Sequence, residues 1–428
     1  MEINTYLSGF EITEQIYIGS RTLVCRGIRL CDRLPVVIKF LRNPFPSFNE
    51  LVQFRNQYTI AQNLKLPSVI QTLALEPYQN GYALVMEDFG GISLKELLEQ
   101  TGNLGENNQT LIIFFQIALQ ITEALEGLYR QRVIHKDIKP ANILIHPETK
   151  QVKLIDFSIA SLLPRETQEI QSVSNLEGTL AYISPEQTGR MNRGIDYRSD
   201  YYALGITFYE LLSGELPFVS NDPMELLHCH LAIQPKILHQ VNTNIPLVLS
   251  EIVHKLMAKN AEDRYQSALG LKYDLEICQR QLEKTGEIVN FEIGQRDLCD
   301  RFTIPEKLYG RETEVVTLRA AFERVSRGST ELMLVAGFSG IGKTVVINEV
   351  HKPIVRQKGY FIKGKYDQFN RNIPFSAFAQ AFRDLIGQLL SESDAQLQEW
   401  KAKTLKAVGE NGQVIIEVIP ELELLIGK

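Results

Sequence analysis

Two stretches suited to nucleotide phosphate chemistry, HKDIKPANIL at residues 135–144 and GFSGIGKT at residues 337–344, stand far apart in one chain of 428 residues. Domains run to roughly 100 to 200 residues, so a chain of this length is expected to hold two or three, and each stretch can occupy its own. Hydrophobic residues at 44% and charged residues at 22% give the balance of a globular protein. A net charge of -6, with no stripe of Lys and Arg, argues against a nucleic-acid partner.

The N-terminus MEINTYLSGFEITEQ lacks the basic start and apolar run of an export signal. The most apolar run, Leu111 to Leu128, is interrupted by Gln116, Gln120, Glu123 and Glu126, which a bilayer core would penalise. It reads as a buried amphipathic helix, and no membrane-spanning segment is expected. Cys25, Cys31, Cys229, Cys278 and Cys299 are odd in number and form no CxxC pair, which favours a reducing, cytoplasmic setting. His228-Cys229-His230 has no second cluster to complete a metal site and is set aside.

Short β-rich runs, RTLVCRGI and LPVVIKFL, open the chain. A helical period follows from Pro46, with Ser47 and Glu50 spaced as a capping box. Around VIQTLALEPYQNGYALVMEDF, two strands are predicted about a tight turn at Asn80-Gly81. From Ser93 the pattern is largely helical. Periodicity fades between Glu283 and Leu308, which sets the expected units at 1–282, a linker at 283–308, and a second domain at 309–428. There ELMLVAG is predicted as a strand before the glycine loop, TVVINEVHK as a helix after it, and FSAFAQAFRDLIGQLLSESDAQLQEWKAKTL as further helix.

Phosphoryl transfer needs a carboxylate at the acceptor hydroxyl, metal ligands at the triphosphate and a cation on the phosphates. The chain offers each in order: Lys39 in PVVIKF, Asp137, Lys139 and Asn142 in HKDIKPANIL, Asp156 in LIDFS, then Thr179 and Glu186 in GTLAYISPE, Asp200 in DYYALG and Arg264 in EDRYQSA. In that order and spacing, residues 10–280 resemble the eukaryotic-like protein kinases, specifically their bacterial Ser/Thr members.

The resemblance implies an α+β fold of two lobes, β-rich then helical, acting on ATP with Mg²⁺ and on protein substrates with Ser or Thr acceptors. It implies that Asp137 accepts or orients the hydroxyl proton and Lys139 steadies the moving phosphoryl group, while Asn142 and Asp156 hold Mg²⁺ and Lys39 reaches the α and β phosphates. Ile16, Gly19, Val24, Glu87 and Phe89 fall around the nucleotide, Phe89 through its backbone. His135, Asp200 and the Glu186 with Arg264 pair are scaffold.

Departures cluster on lid and switch parts. YIGSRTLV, aligned with the family's GxGxxGxV lid, keeps only Gly19, so Tyr17 and Thr22 are expected to weaken ATP binding. Gln57 stands where the family has a Glu that pairs with the strand Lys, and it brings no charge. DFS replaces DFG at Ser158, and HKD replaces HRD at Lys136, where a point charge makes switching by loop phosphorylation doubtful. An ATP-gated scaffold with little transfer is the competing reading.

GFSGIGKT fits GxxxxGK[ST] in the strand, loop, helix context that the motif requires. Gly337, Gly340 and Gly342 would let backbone N–H groups wrap phosphates, Lys343 would hold the β and γ phosphates, and Thr344 would ligate Mg²⁺. A working ATPase also needs a carboxylate after a second apolar strand; QVIIEVIPELELLIG, with Glu417, is the candidate run but lacks paired acids. LYGRE before the loop, with the kinase, resembles large bacterial signalling proteins that join a Ser/Thr kinase to an AAA-type ATPase and then to sensor and histidine kinase domains. The second domain then reads as the start of an α/β P-loop NTPase, a nucleotide-responsive module for signalling partners, and the chain as an N-terminal piece.

Overall fold

A computed structural model describes residues 6–19, 21–162, 179–189, 194–298, 310–338, 341–348, 359–366, 375–390 and 394–427. Five antiparallel strands, β1 (Phe10–Ile18), β2 (Thr22–Arg29), β3 (Pro35–Leu41), β4 (Thr72–Tyr78) and β5 (Gly81–Glu87), pair in the order β1-β2-β3-β5-β4. Alternation in PVVIKFL buries Val36, Ile38 and Phe40 on one face with Cys25, Ala83 and Val85. The other face carries Val37 and Lys39 toward α1 (Phe48–Asn63), whose Phe54 packs with Leu84 and Met86. Period two thus decides that Lys39 points at the helix.

The start of α1 follows the expected capping box: Glu50 N–H donates to Ser47 Oγ at 3.3 Å, and Ser47 N–H to the Glu50 carboxylate at 2.8 Å. The hairpin differs from expectation. Tyr78 pairs with Gly81, so the turn is Gln79-Asn80, with Gln79 at φ 49. Gly81 instead starts β5, where a Cβ would stand 3.2 Å from Pro46 and 3.3 Å from Leu51, and Asn80 Nδ2 donates to Pro44 O at 2.8 Å. Close approach of the α1 lead-in, not the turn, is what favours the glycine.

The second lobe is helical: α2 (Leu94–Thr101), α3 (Asn108–Arg130), α4 (Arg198–Ser213), α5 (Pro223–Ala232), α6 (Leu238–Val241), α7 (Leu247–Leu256) and α8 (Ala268–Thr285). By length and composition α3 could cross a bilayer, yet Phe114, Phe115, Ala118 and Ile121 are buried in the lobe, with Phe114 edge-on to Phe208 of α4 at 5.1 Å. Strands β6 (Ile92–Ser93), β7 (Ile143–Ile145) and β8 (Val152–Leu154) form a small sheet that frames the loops of the site.

Residues 286–298 stay on this lobe. Ile288, Phe291 and Ile293 pack against its core, and Asp297 accepts N–H bonds from Gln266 and Ser267 at 2.9 Å, at the start of α8.

The second module contains α9 (Glu312–Val325), α10 (Lys343–Asn348), α11 (Ser376–Leu389), α12 (Asp394–Val408), α13 (Gly412–Val418) and α14 (Leu422–Ile426). The helices expected after Phe375 are present as α11 and α12. The strand expected over ELMLVAG is not: residues 331–338 carry no regular secondary structure and have no paired neighbour among the described residues, and Leu332 and Leu334 are 88% and 85% exposed. A strand exists only where a second one takes its N–H and C=O groups. The other expected apolar strand, QVIIEVIPELELLIG, is helical. Ile419, Leu422, Leu425 and Ile426 recur at helical spacing and pack on Ala379, Ile386 and Leu389 of α11, so Glu417 belongs to a helix.

Candidate active site

The loop after α3 is fixed before it is functional. Asp200, buried in the first turn of α4, accepts the N–H groups of His135 and Lys136 at 2.8 Å each. Burial pushes its carboxyl upward, and those N–H bonds with the nearby His135 and Lys136 oppose the push. His135 Nε2 lies 3.1 Å from Ile155 O, and its ring packs on Phe157 at 4.7 Å, tying the loop to the exit of β8. Both residues therefore act as scaffold.

Asp137 sits at the centre of the constellation. Its Oδ2 accepts from Lys139 Nζ at 2.6 Å and Asn142 Nδ2 at 2.8 Å, and its Oδ1 from Thr179 N and Oγ1 at 3.2 Å each. Asn142 Nδ2 also bonds Asp137 O at 2.9 Å, which commits the nitrogen and leaves the amide oxygen as its cation donor.

Lys39 Nζ reaches Asp156 Oδ2 at 3.0 Å and Gln57 Oε1 at 3.1 Å. Asp156 adopts φ 66, a left-handed conformation that turns its carboxylate to the lysine. Burial would raise that carboxyl, but Lys39 outweighs burial and holds it down at about 2. Gln57 is buried and binds Lys39 without charge. Asn142 and Asp156 supply hard oxygen donors, the chemistry that suits Mg²⁺.

Around the nucleotide positions, Lys153 of β8 pairs with Glu87 at 2.6 Å and lies 5.0 Å over the Phe89 ring. Val24 stands opposite Lys39 in the β2–β3 register, and Ile16 falls at a register shift between Gln15 and Tyr17. At the lid tip the Tyr17 ring lies against Gly19, where a Cβ would be 2.8 Å from it. Arg42 donates to Gly19 O at 2.6 Å. Below the site, Glu186 and Arg264 form a fully shielded pair that also engages Ser199 Oγ at 2.7 Å.

In the second module Lys343 folds back onto its own loop, donating to Gly337 O and Phe338 O at 2.8 Å each. Gly342 adopts φ 94, open only to glycine without strain, and Thr344 is exposed at the start of α10. Gly340 lies outside the described residues. Arg311, Thr317, Val335, Ile341 and Lys343 line a cavity of about 380 Å³ beside the loop.

Sequence reasoning passed over Asn56, whose Nδ2 donates to Ser158 O at 3.0 Å and Ala160 O at 2.9 Å. It also passed over Arg42. Neither carries a local signal, because each partner lies far away in sequence or is a backbone carbonyl.

The model of the protein kinase domain family matches residues 10–274, more than half of the chain, and that of the AAA ATPase domain family matches residues 307–423. Both imply ATP use. The chain is 35% identical over 401 residues to hybrid signal transduction histidine kinase G of Dictyostelium discoideum, covering 73% of this chain and 12% of that protein. It is 34% identical over 249 residues to a probable serine/threonine-protein kinase of Clostridium perfringens, covering 57% and 34%. It is 32% identical over 268 residues to serine/threonine-protein kinase PknB of Mycobacterium leprae, covering 60% and 40%. The chain thus spans well under half the length of these relatives. With its β-rich and helical lobes around Asp137, the chain belongs to the protein kinase domain family, and its residues 307–423 match the AAA ATPase domain family.

Proposed function

We propose that the chain transfers the γ-phosphoryl group of ATP to Ser and Thr hydroxyls of proteins, in the cytoplasm, as a signalling kinase. The observation that carries this reading is Asp137: one carboxylate held at once by Lys139, Asn142 and Thr179, within a fold that also places Lys39 on Asp156. In this reading Asp137 orients the acceptor hydroxyl and takes its proton, and Lys139 exchanges part of its bond to Asp137 for an oxygen of the moving phosphoryl group. Lys39 turns toward the α and β phosphates. Asn142 Oδ1 and the Asp156 carboxylate would hold Mg²⁺, which when bound neutralises charge on the phosphate oxygens. Gly337, Gly342, Lys343 and Thr344 would bind a second nucleotide, and the module around them would serve as a nucleotide-responsive switch toward signalling partners.

The test is transfer of labelled phosphate to a generic Ser/Thr protein substrate by wild type, Asp137→Asn and Lys343→Ala. Loss in Asp137→Asn with retention in Lys343→Ala supports the reading. A second reading, an ATP-gated scaffold, is favoured by the uncharged Gln57 and by the Tyr17 ring against Gly19. ATP binding without transfer by wild type would replace the first reading with the second.

A further inference from the structure

We propose that Asn56 is a positioning residue for phosphoryl transfer: its amide fastens α1 to the loop after Asp156 and does, without charge, the aligning that an ion pair to Lys39 would do. The inference rests on the kinase reading above.

Three observations converge. First, the contact of Lys39 with α1 runs through Gln57 Oε1 at 3.1 Å, and Gln57 Nε2 finds Met86 Sδ at 4.0 Å, a weak acceptor. A neutral acceptor draws a lysine less strongly than a carboxylate does, so this contact alone sets the helix loosely. Second, Asn56, the adjacent residue, spends both amide hydrogens on the carbonyls of Ser158 and Ala160, at 3.0 and 2.9 Å. Third, the stretch it grips is itself fixed. Ser161 and Ile134 exchange backbone bonds of 2.9 Å in both directions, immediately before His135 and the catalytic loop.

The chain of contacts therefore runs from α1 through Asn56 to the loop that sets Asp156, and on to the loop that sets Asp137. A half-buried pair of neutral bonds is little screened by salt, unlike an exposed ion pair. It also requires a donor of two hydrogens: a carboxylate of the same shape would face two carbonyl oxygens and repel them.

Asn56→Asp is the decisive variant, since it conserves volume and reverses polarity. Its expected effect is a fall of roughly thirtyfold in kcat, the worth of two net hydrogen bonds, with the KM for protein substrate unchanged. Asn56→Ala also removes both bonds but leaves room for water to reach the two carbonyls, and is expected to lose less, about threefold. Adding Gln57→Glu should raise Asn56→Ala by a larger factor than it raises the wild-type background, because only there is alignment lacking. A lower melting temperature with unchanged kcat and no selective rescue would overturn the inference.

A second measurement stands apart from transfer: the gain in ATP affinity on adding Mg²⁺, read by titration, should shrink in Asn56→Asp. If wild type transfers no phosphate, the kinase reading fails. A wild-type Mg²⁺ gain in Asn56→Asp would then still overturn the positioning role.

Discussion

Arg264 grips Glu186 with two nitrogens, Nη1 to Oε1 at 2.7 Å and Nη2 to Oε2 at 2.8 Å, and neither side chain reaches solvent. A buried pair is weak evidence for net stability, but removing one partner strands the other charge. Arg264→Ala is expected to destabilise the helical lobe by about 3 to 5 kcal/mol. Urea unfolding followed by tryptophan-independent circular dichroism checks this; a loss under about 1 kcal/mol would show that water enters and compensates.

The same pair sets an acid limit. Burial would raise the Glu186 carboxyl, but Arg264 holds it at about 2 against an ordinary 4.5, and Asp156 is held at about 2 against 3.8. Depressed carboxyl values stabilise the fold above the unfolded values and lose that contribution as pH falls through the folded ones. These two carboxyls should therefore leave the melting temperature level from about pH 7 down to about pH 5 and lower it from there toward pH 2. A level profile down to pH 3 would refute it.

Lys259 adds a slope of the same sign at higher pH. Burial, with help from Arg264, pulls its ammonium down to about 7 from 10.5, although Cys229 O accepts from it at 3.1 Å and the Phe218 ring lies 4.6 Å away. Between those values the unfolded chain binds the extra proton, so stability rises with pH. Melting temperature should increase from pH 7 to pH 9, and Lys259→Met should flatten that rise. An equal slope in the variant would assign it to other groups.

At the lid, Tyr17→Gly with Thr22→Gly restores the backbone approach that phosphate needs and removes the ring now resting on Gly19. ATP should bind about fivefold tighter, the worth of roughly 1 kcal/mol. Fluorescence titration reads the dissociation constant directly, and an unchanged value would mean that Arg42, bonded to Gly19 O at 2.6 Å, already holds the tip in place.

Much of the site was legible because its residues are short-range motifs. Asp137, Lys139 and Asn142 lie within one loop, and period-two alternation alone sends Lys39 toward α1. Gln57 was readable by position, since α1 is long and capped. What escaped was set by tertiary contact. Asn56 looks like any helical surface amide until the loop after Asp156 is folded beside it. Gly81 read as a turn residue because proximity to Leu51 cannot be seen in sequence. The run 413–427 looked like a strand because short apolar runs carry no period of their own, and packing on α11 goes with the helical outcome.

Asp297 gives the chain a mechanical property. Its carboxylate is seated on the N–H groups of Gln266 and Ser267, at 2.9 Å. Gln266 in turn accepts from Arg198 at 2.9 Å, and Arg264 donates to Arg198 O at 2.8 Å while holding Glu186. Tension applied to the chain beyond residue 298 would arrive first at this seat, and only a few bonds separate it from the segment that carries Thr179. The end of the kinase lobe at residue 298 is thus bonded into the same network that seats Glu186, so a change at Asp297 is expected to reach the segment that carries Thr179.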